Sequence, residues 1–102
     1  RGGENISPAE IENIALREKG VDSCKAIGVP SEHYGEEVCL CVVLEHNARR
    51  TEEEIRTRLI KNIAYYKVPK YIQFFDELPQ TSTGKIQLGE LKKMAASRIG
   101  NN

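Results

Sequence analysis

Residues 37–44 read Glu-Val-Cys-Leu-Cys-Val-Val-Leu, and this octapeptide decides the fold class. Every position after the first is apolar, so a strand formed here would be apolar on both faces, as a strand in the middle of a sheet is. We therefore predict a central strand. Cys39 and Cys41 lie two residues apart in it and are expected to share one face.

The residues before the octapeptide predict a helix and a partner strand. Ser7-Pro8-Ala9-Glu10 combines an N-cap serine, a proline at the first helical position and a glutamate three residues after the cap. A helix is expected from Pro8 to about Glu18, with Gly20 as its stop signal. Val21–Val29 predicts a strand, and the polar connection at residues 31–36 makes the two strands a hairpin with a wide turn.

The residues after the octapeptide predict two more helices and a third strand. Thr51–Glu54 is a capping box, and the helix that it begins should end before Tyr65. A third strand is expected at Lys70–Phe75. The apolar stripes of the two helices are Ile55, Leu59, Ile60 and Ile63, and then Leu88, Leu91, Met94, Ala95 and Ile99. These elements predict a small α+β domain, a three-stranded sheet covered by about three helices.

The composition is that of one globular domain. The chain has 102 residues, 39% hydrophobic and 29% charged, with a formal net charge of +0, which argues against bulk nucleic-acid binding. No apolar run approaches the roughly 18 residues of a membrane span. Residues 61–102 hold seven Lys and Arg against three Asp and Glu. This basic half fits contact with a phosphorylated small molecule, and a solvated helix face explains the charge equally well.

The cysteines and histidines do not predict a metal site. Cys24, Cys39 and Cys41 lack metal-ligand spacing with His33 and His46, so buried thiols in a reducing compartment are expected.

The loop Thr81-Ser82-Thr83-Gly84-Lys85 carries a candidate site. Gly84 permits a turn at positive φ, and the lysine after it offers a point charge for a phosphate or carboxylate oxygen. It is not the Walker motif, which would need glycine at position 79 and serine or threonine at position 86, where the chain has Pro79 and Ile86. Taken alone, the loop is better explained as an ordinary solvated turn.

Three separated segments resemble one family, the acyl-adenylate-forming superfamily of acyl-CoA synthetases, adenylation domains and luciferases. RGGENISPAEIE (residues 1–12) looks like the start of the C-terminal domain just past the interdomain hinge. AIGVPSEHYGEEV (residues 26–38) is similar to a strand-and-turn motif, and YKVPKYIQFFDELPQTSTGKI (residues 66–86) resembles the final motif with its catalytic lysine. Because Arg1 is not a natural start, the chain is expected to be a piece of a longer protein. The resemblance implies that this piece is the mobile C-terminal domain of a ligase whose N-terminal domain is absent.

The resemblance implies a two-step reaction with ATP (as its Mg²⁺ complex) and CoA as substrates of the full-length enzyme, and with no metal bound by this domain. A carboxylate attacks ATP to give an acyl-adenylate and pyrophosphate, and a thiol then displaces AMP. Lys85, placed by the turn at Gly84, would enter for the first step and offset negative charge around the α-phosphorus. The isolated domain is expected to be inactive, with its own N-terminal domain as its partner.

By the same resemblance, a second face would serve the thioester step. The loop with Gly2, Gly3 and Glu4 would move beside the pantetheine thiol, although its glycines also suit a tight turn before the helix. Tyr66 and Lys70 would contact the CoA nucleotide, or equally act as surface packing and solvated charge. One basic position of such relatives is Val68 here, which leaves the exact CoA-phosphate contacts open.

Three functions remain open at this point. The RGGEN wording favours an acyl-CoA ligase, expected in the cytoplasm. The alternatives are an adenylation enzyme that loads a carrier protein and a non-catalytic interaction module with the same fold. The resemblance implies that the identity of the carboxylic acid is set by the missing domain.

Overall fold

The computed structural model describes residues 7–31, 35–64 and 67–100. In these residues a three-stranded sheet has the order β1 (Val21–Ser31), β2 (Gly35–Leu44), β3 (Tyr71–Phe75). β2 pairs antiparallel with β1 and parallel with β3. The octapeptide at residues 37–44 therefore lies in the central strand, which confirms the prediction.

In the described part of the chain, three helices cover the sheet: α1 (Pro8–Leu16), α2 (Glu52–Asn62) and α3 (Leu88–Gly100). One core cluster joins α1 and α2 to one face of the sheet, through residues such as Ile11, Leu40 and Leu59. The other joins α3 to the opposite face, where Cys39 and Cys41 are fully buried. Burial on both faces is the reason why β2 is apolar throughout, and the α+β class is confirmed.

Side-chain caps set the starts of the first two helices, as the sequence predicts. The Ser7 hydroxyl accepts a hydrogen bond from the Glu10 amide at 3.3 Å, with Pro8 as the first helical residue. At α2 the Thr51 hydroxyl accepts from the Glu54 amide at 3.1 Å, and the Glu54 carboxylate accepts from the Thr51 amide at 2.9 Å. Each cap pairs backbone donors that a helix leaves free in its first turn.

Several predicted boundaries differ from the structure, among them the start of β3, which is Tyr71 rather than Lys70. α1 ends at Leu16 rather than Glu18, because the amides of Arg17 and Glu18 bond to carbonyls three residues back, which tightens the last turn. The paired part of the hairpin is longer than expected, since β1 continues to Ser31, which pairs with Gly35. The link between the two strands is therefore three residues long.

Two residues assigned to apolar stripes are not in the core. The Ile60 side chain is 52% exposed and that of Leu88 is 45% exposed, whereas Leu59 and Leu91 are fully buried. The buried stripes are therefore narrower than the apolar pattern suggests.

The parallel pairing of β2 with β3 requires a crossover, which α2 supplies. β3 then leads directly toward the lysine loop, which connects it to α3. The candidate site thus follows the carboxyl end of β3.

Candidate functional site

Lys85 lies in a tight hairpin, here called the lysine hairpin (residues 79–87). Gln80 and Ile86 form an antiparallel bridge at its base. The Thr81 amide donates to the Lys85 carbonyl at 2.7 Å, and the Gly84 amide donates to the Thr81 carbonyl at 3.0 Å. These bonds close a three-residue loop at residues 82–84, of the kind that needs a left-handed residue in its last position.

Gly84 meets that need with a φ of +89°, as the sequence predicts. A Cβ added to Gly84 would have no heavy atom within 4 Å outside its immediate neighbours in the chain. Backbone conformation, and not lack of space, is therefore the reason for glycine at this position.

Both ends of the lysine hairpin are attached to the core. Leu78, just before it, is only 4% exposed, and Ile86 packs against the cluster beneath α3. The Gln87 amide donates to the Pro79 carbonyl at 2.9 Å, and the Leu91 amide donates to Gln87 at 3.0 Å as α3 begins. The base of the hairpin is held on two sides, while its tip projects into solvent.

The Lys85 side chain is exposed at this tip. Across residues 7–31, 35–64 and 67–100, no carboxylate forms an ion pair with it. Lys67 and Lys92, by contrast, have Glu10 and Glu36 as partners at 3.7 and 3.9 Å. The Lys85 ammonium is therefore available to an anion brought from outside the domain.

Lys70, a candidate CoA contact, lies just before β3. Its side chain is exposed, with Nζ 5.6 Å from the centre of the Tyr71 ring. Arg56 holds the backbone here: its guanidinium donates to the carbonyls of Pro69 at 2.6 Å and Lys70 at 3.2 Å. The same guanidinium bonds to Glu52 at 2.7 Å, so α2 positions this segment.

Arg56 was missed by the sequence analysis. Its spacing of four residues from Glu52 signals an intrahelical pair, but nothing in the sequence signals its two carbonyl acceptors thirteen and fourteen residues away.

Gly2, Gly3, Glu4 and Tyr66 lie outside the described residues, so the thioester-face assignment stays a prediction. Val68, which replaces a basic residue of such relatives, is 7% exposed and packs in the core with α1 and α2. Its side chain is thus part of the hydrophobic core.

A buried carboxylate stabilises the fold away from the lysine hairpin. Glu18 is 9% exposed and pairs with Arg50, and with Arg58 at 2.5 Å. Burial alone would raise the pKa of Glu18, but the hydrogen bonds and charges of the two arginines outweigh burial and lower it. This group links the end of α1 to α2 and has no role in the proposed chemistry.

The three thiols are buried, so reagents in solution reach them poorly. Burial, together with the nearby Glu12 carboxylate, raises the pKa of Cys24 to about 12. A hydrogen bond with Cys39, followed by burial, raises the pKa of Cys41. All three cysteines are buried and free of disulfides. In the described part of the chain no group of three or more His, Cys, Asp and Glu could hold a metal ion, and His46 is exposed.

The sequence matches one protein family model, described as the AMP-binding enzyme C-terminal domain, over residues 10–85. Similar proteins include the mitochondrial medium-chain acyl-CoA ligase ACSF2 of Danio rerio, 43% identical over 100 residues, which cover 98% of this chain and 16% of that protein. Another is the oxalate–CoA ligase of Saccharomyces cerevisiae, 44% identical over 87 residues, covering 85% of this chain and 16% of that protein.

Solved structures give the same result. A fatty acyl CoA synthetase of Mycobacterium tuberculosis aligns with a TM-score of 0.87 at 35% identity, over 95% of this chain and 19% of that one. ATP-bound MatB from Rhodopseudomonas palustris aligns with a TM-score of 0.89 at 33% identity, over the same shares of the two chains.

The relatives differ from this chain in length, and the first of them also differs from the expected location. The chain spans about one sixth of the curated relatives' length, 16% in the first of them. That relative is named as mitochondrial, which does not fit a plain cytoplasmic expectation. No helix within the described ranges is long and apolar enough to cross a membrane.

Proposed function

Because the chain belongs to the AMP-binding enzyme C-terminal domain family, we propose that it is the C-terminal domain of an ATP-dependent, AMP-forming acyl-CoA ligase and supplies that enzyme's adenylation lysine. The observation that carries the proposal is the exposed Lys85, which has no carboxylate partner among the described residues and lies at the tip of a hairpin whose base is anchored in the core. The names of the relatives support the reaction class.

The chemistry asks for a fixed positive charge. When a carboxylate attacks the α-phosphorus of ATP, pyrophosphate leaves and negative charge accumulates on the oxygens around that phosphorus. An ammonium held beside those oxygens stabilises the transition state more than the ground state. The core side chains beneath the lysine hairpin restrict the positions that the Lys85 backbone can take, which favours such a role.

Lys85 would be one half of a composite site. An N-terminal domain would bring the carboxylate and ATP, and this domain would be the mobile partner that presents Lys85. In the second step a different face, with Gly2, Gly3 and Glu4, would approach the CoA thiol, and Tyr66 and Lys70 would contact the CoA nucleotide. The isolated chain would have no ligase activity.

Two half-reactions of the full-length enzyme test this proposal. Lys85→Ala should abolish ATP–pyrophosphate exchange but spare thioester formation from a supplied acyl-adenylate. Lys93→Ala, which removes another exposed lysine, is the matched control and should leave both half-reactions unchanged. Equal loss of both half-reactions in Lys85→Ala would contradict the assignment, and so would full activity.

The acyl acceptor separates the leading function from its first alternative. The full-length enzyme is incubated with its acid, ATP and either free CoA or a carrier protein that bears phosphopantetheine. Acylation of CoA supports the proposal, as the names of the relatives favour. Loading of the carrier alone would replace the ligase with an adenylation enzyme. If neither CoA nor the carrier protein is acylated, a non-catalytic interaction module is favoured.

A further inference from the structure

Four interactions of the lysine hairpin converge on Thr81. Its amide donates to the Lys85 carbonyl at 2.7 Å, and its carbonyl accepts from the Gly84 amide at 3.0 Å. Its hydroxyl accepts from the Lys85 amide at 3.1 Å and lies 3.1 Å from the Thr83 hydroxyl. Thr81 thus contacts both backbone polar groups of Lys85.

Among the described residues, no backbone carbonyl accepts a hydrogen bond from the Lys85 amide in place of the Thr81 hydroxyl. In this loop type the positive φ of Gly84 turns the chain. The Lys85 amide can then donate a hydrogen bond to the Thr81 hydroxyl. Loss of that hydroxyl would leave the Lys85 amide to water and remove one of the two bonds that hold the lysine backbone. Thr81 is itself exposed, so its hydroxyl contributes to local geometry and not to core packing.

We propose that Thr81 is a positioning residue for Lys85 in the adenylation step, acting through the hydrogen bond that the Lys85 amide donates to the Thr81 hydroxyl. The proposal rests on the adenylation role of Lys85 proposed above. A long flexible lysine reaches its target reproducibly only if its backbone is fixed, and a displacement of about 1 Å at a charged group is enough to weaken transition-state stabilisation. The hydroxyl therefore positions Lys85, and the Lys85 ammonium stabilises the transition state of adenylation.

Variants of nearly identical shape separate the hydroxyl from the rest of the side chain. Thr81→Val keeps the β-branched shape and removes the hydroxyl, whereas Thr81→Ser keeps the hydroxyl. Thr83→Val removes only the bond between the two hydroxyls and is the matched control. In the full-length enzyme, kcat and the KM for ATP are measured by ATP–pyrophosphate exchange, and thioester formation is measured separately from a supplied acyl-adenylate.

Thr81→Val should lower kcat for exchange roughly three- to tenfold, as the loss of one hydrogen bond implies, with little change in KM. The thioester step should be unchanged, Thr81→Ser should restore kcat to within about twofold of wild type, and Thr83→Val should stay within about twofold as well. These ranges follow from a bond that acts only on lysine placement.

Four results would overturn the proposal. An unchanged kcat in Thr81→Val, with Lys85→Ala inactive in exchange, would reject Thr81 while leaving the role of Lys85 intact. Equal losses in both half-reactions, or no rescue by serine, would show a general structural role instead. Full exchange activity in Lys85→Ala would remove the proposed function and this inference together.

Discussion

The Glu12 carboxylate accepts a hydrogen bond from the amide of Ala26 at 2.8 Å, so a side chain of α1 occupies the outer edge of β1. β1 is an edge strand, and its outward amides would otherwise be open to pairing with another chain. Pro30, four residues after Ala26, lies on the same edge by strand alternation and has no amide to offer. Two different devices thus reduce the number of free amides on this edge.

Removal of the Glu12 carboxylate should open that edge. Glu12→Ala leaves the Ala26 amide without its acceptor, so we expect a loss of about 1 kcal/mol in the free energy of unfolding and more self-association. Glu12→Gln keeps an acceptor oxygen and gives up only the charge facing Lys25, and should behave nearly as wild type. Urea unfolding and sedimentation velocity measure both effects. Identical behaviour of the two variants would show that the hydrogen bond is unimportant.

Glu18 should make the domain sensitive to acid. Its folded-state pKa lies below the ordinary value of 4.5, so its contribution is complete above about pH 4.5 and is lost as the pH falls through the folded pKa. Glu18→Gln should lower the free energy of unfolding at pH 7 by about 1–3 kcal/mol and lose less of what remains between pH 5 and pH 3.

The control for this experiment is Glu53→Gln, which removes an exposed carboxylate on α2. It should leave the pH profile almost unchanged. Parallel profiles for wild type and Glu18→Gln would mean that the pairing with Arg50 and Arg58 does not contribute to stability.

Two glycines in nearly the same surroundings should respond to alanine in opposite directions. Gly84→Ala forces a side chain into a φ of +89° and should cost about 1–2 kcal/mol. Gly89→Ala, in the first turn of α3, meets no atom within 4 Å and should stabilise by about 0.5 kcal/mol. Chemical denaturation of both variants measures the difference. A destabilised Gly89→Ala together with a neutral Gly84→Ala would refute the argument from backbone conformation.

Arg56 should be required for order before β3. Arg56→Gln removes the donors to the carbonyls of Pro69 and Lys70, so the amides of residues 70–72 should exchange with deuterium faster. Arg49→Gln, an exposed arginine just before α2, is the control. Hydrogen exchange measured by mass spectrometry compares the two variants. Equal protection of these amides in both would show that Arg56 does not hold the segment before β3 in place.

The three thiols should be nearly inert in the folded domain. Cys24 is 8% exposed, and Cys39 and Cys41 are completely buried, so a maleimide reagent can reach them only after unfolding. We expect labelling at least about 100-fold slower than in 6 M urea, with the rate following the fraction unfolded as urea is raised. Fast labelling of any one cysteine under native conditions would contradict this expectation.

Much of the fold could be predicted because its causes are local. The capping box at Thr51 and the serine–proline start at Ser7 are bonds between residues three apart, so the sequence displays them directly. The continuous apolar run of β2 similarly reports burial on two faces. Ile60 and Leu88 show where pattern reasoning fails, since apolar character alone does not state which residues meet the sheet.

The candidate site divides in the same way. The turn at Gly84 and the lysine after it are visible in five consecutive residues, and their left-handed backbone follows from the missing Cβ. The Arg56 clamp and the Glu18 group were not predictable, because their partners lie 13 to 40 residues apart in the chain.

By itself, the sequence determined the elements, the central place of β2, the buried face shared by Cys39 and Cys41, and the turn that carries Lys85. Tertiary structure alone decided that β3 pairs parallel to β2, that the core extends beneath both ends of the lysine hairpin, and that Lys85 has no carboxylate partner among the described residues. The physical reason is range. Capping, turn geometry and alternation act between neighbours, whereas strand pairing, burial and the absence of a counter-ion depend on residues that only folding brings together.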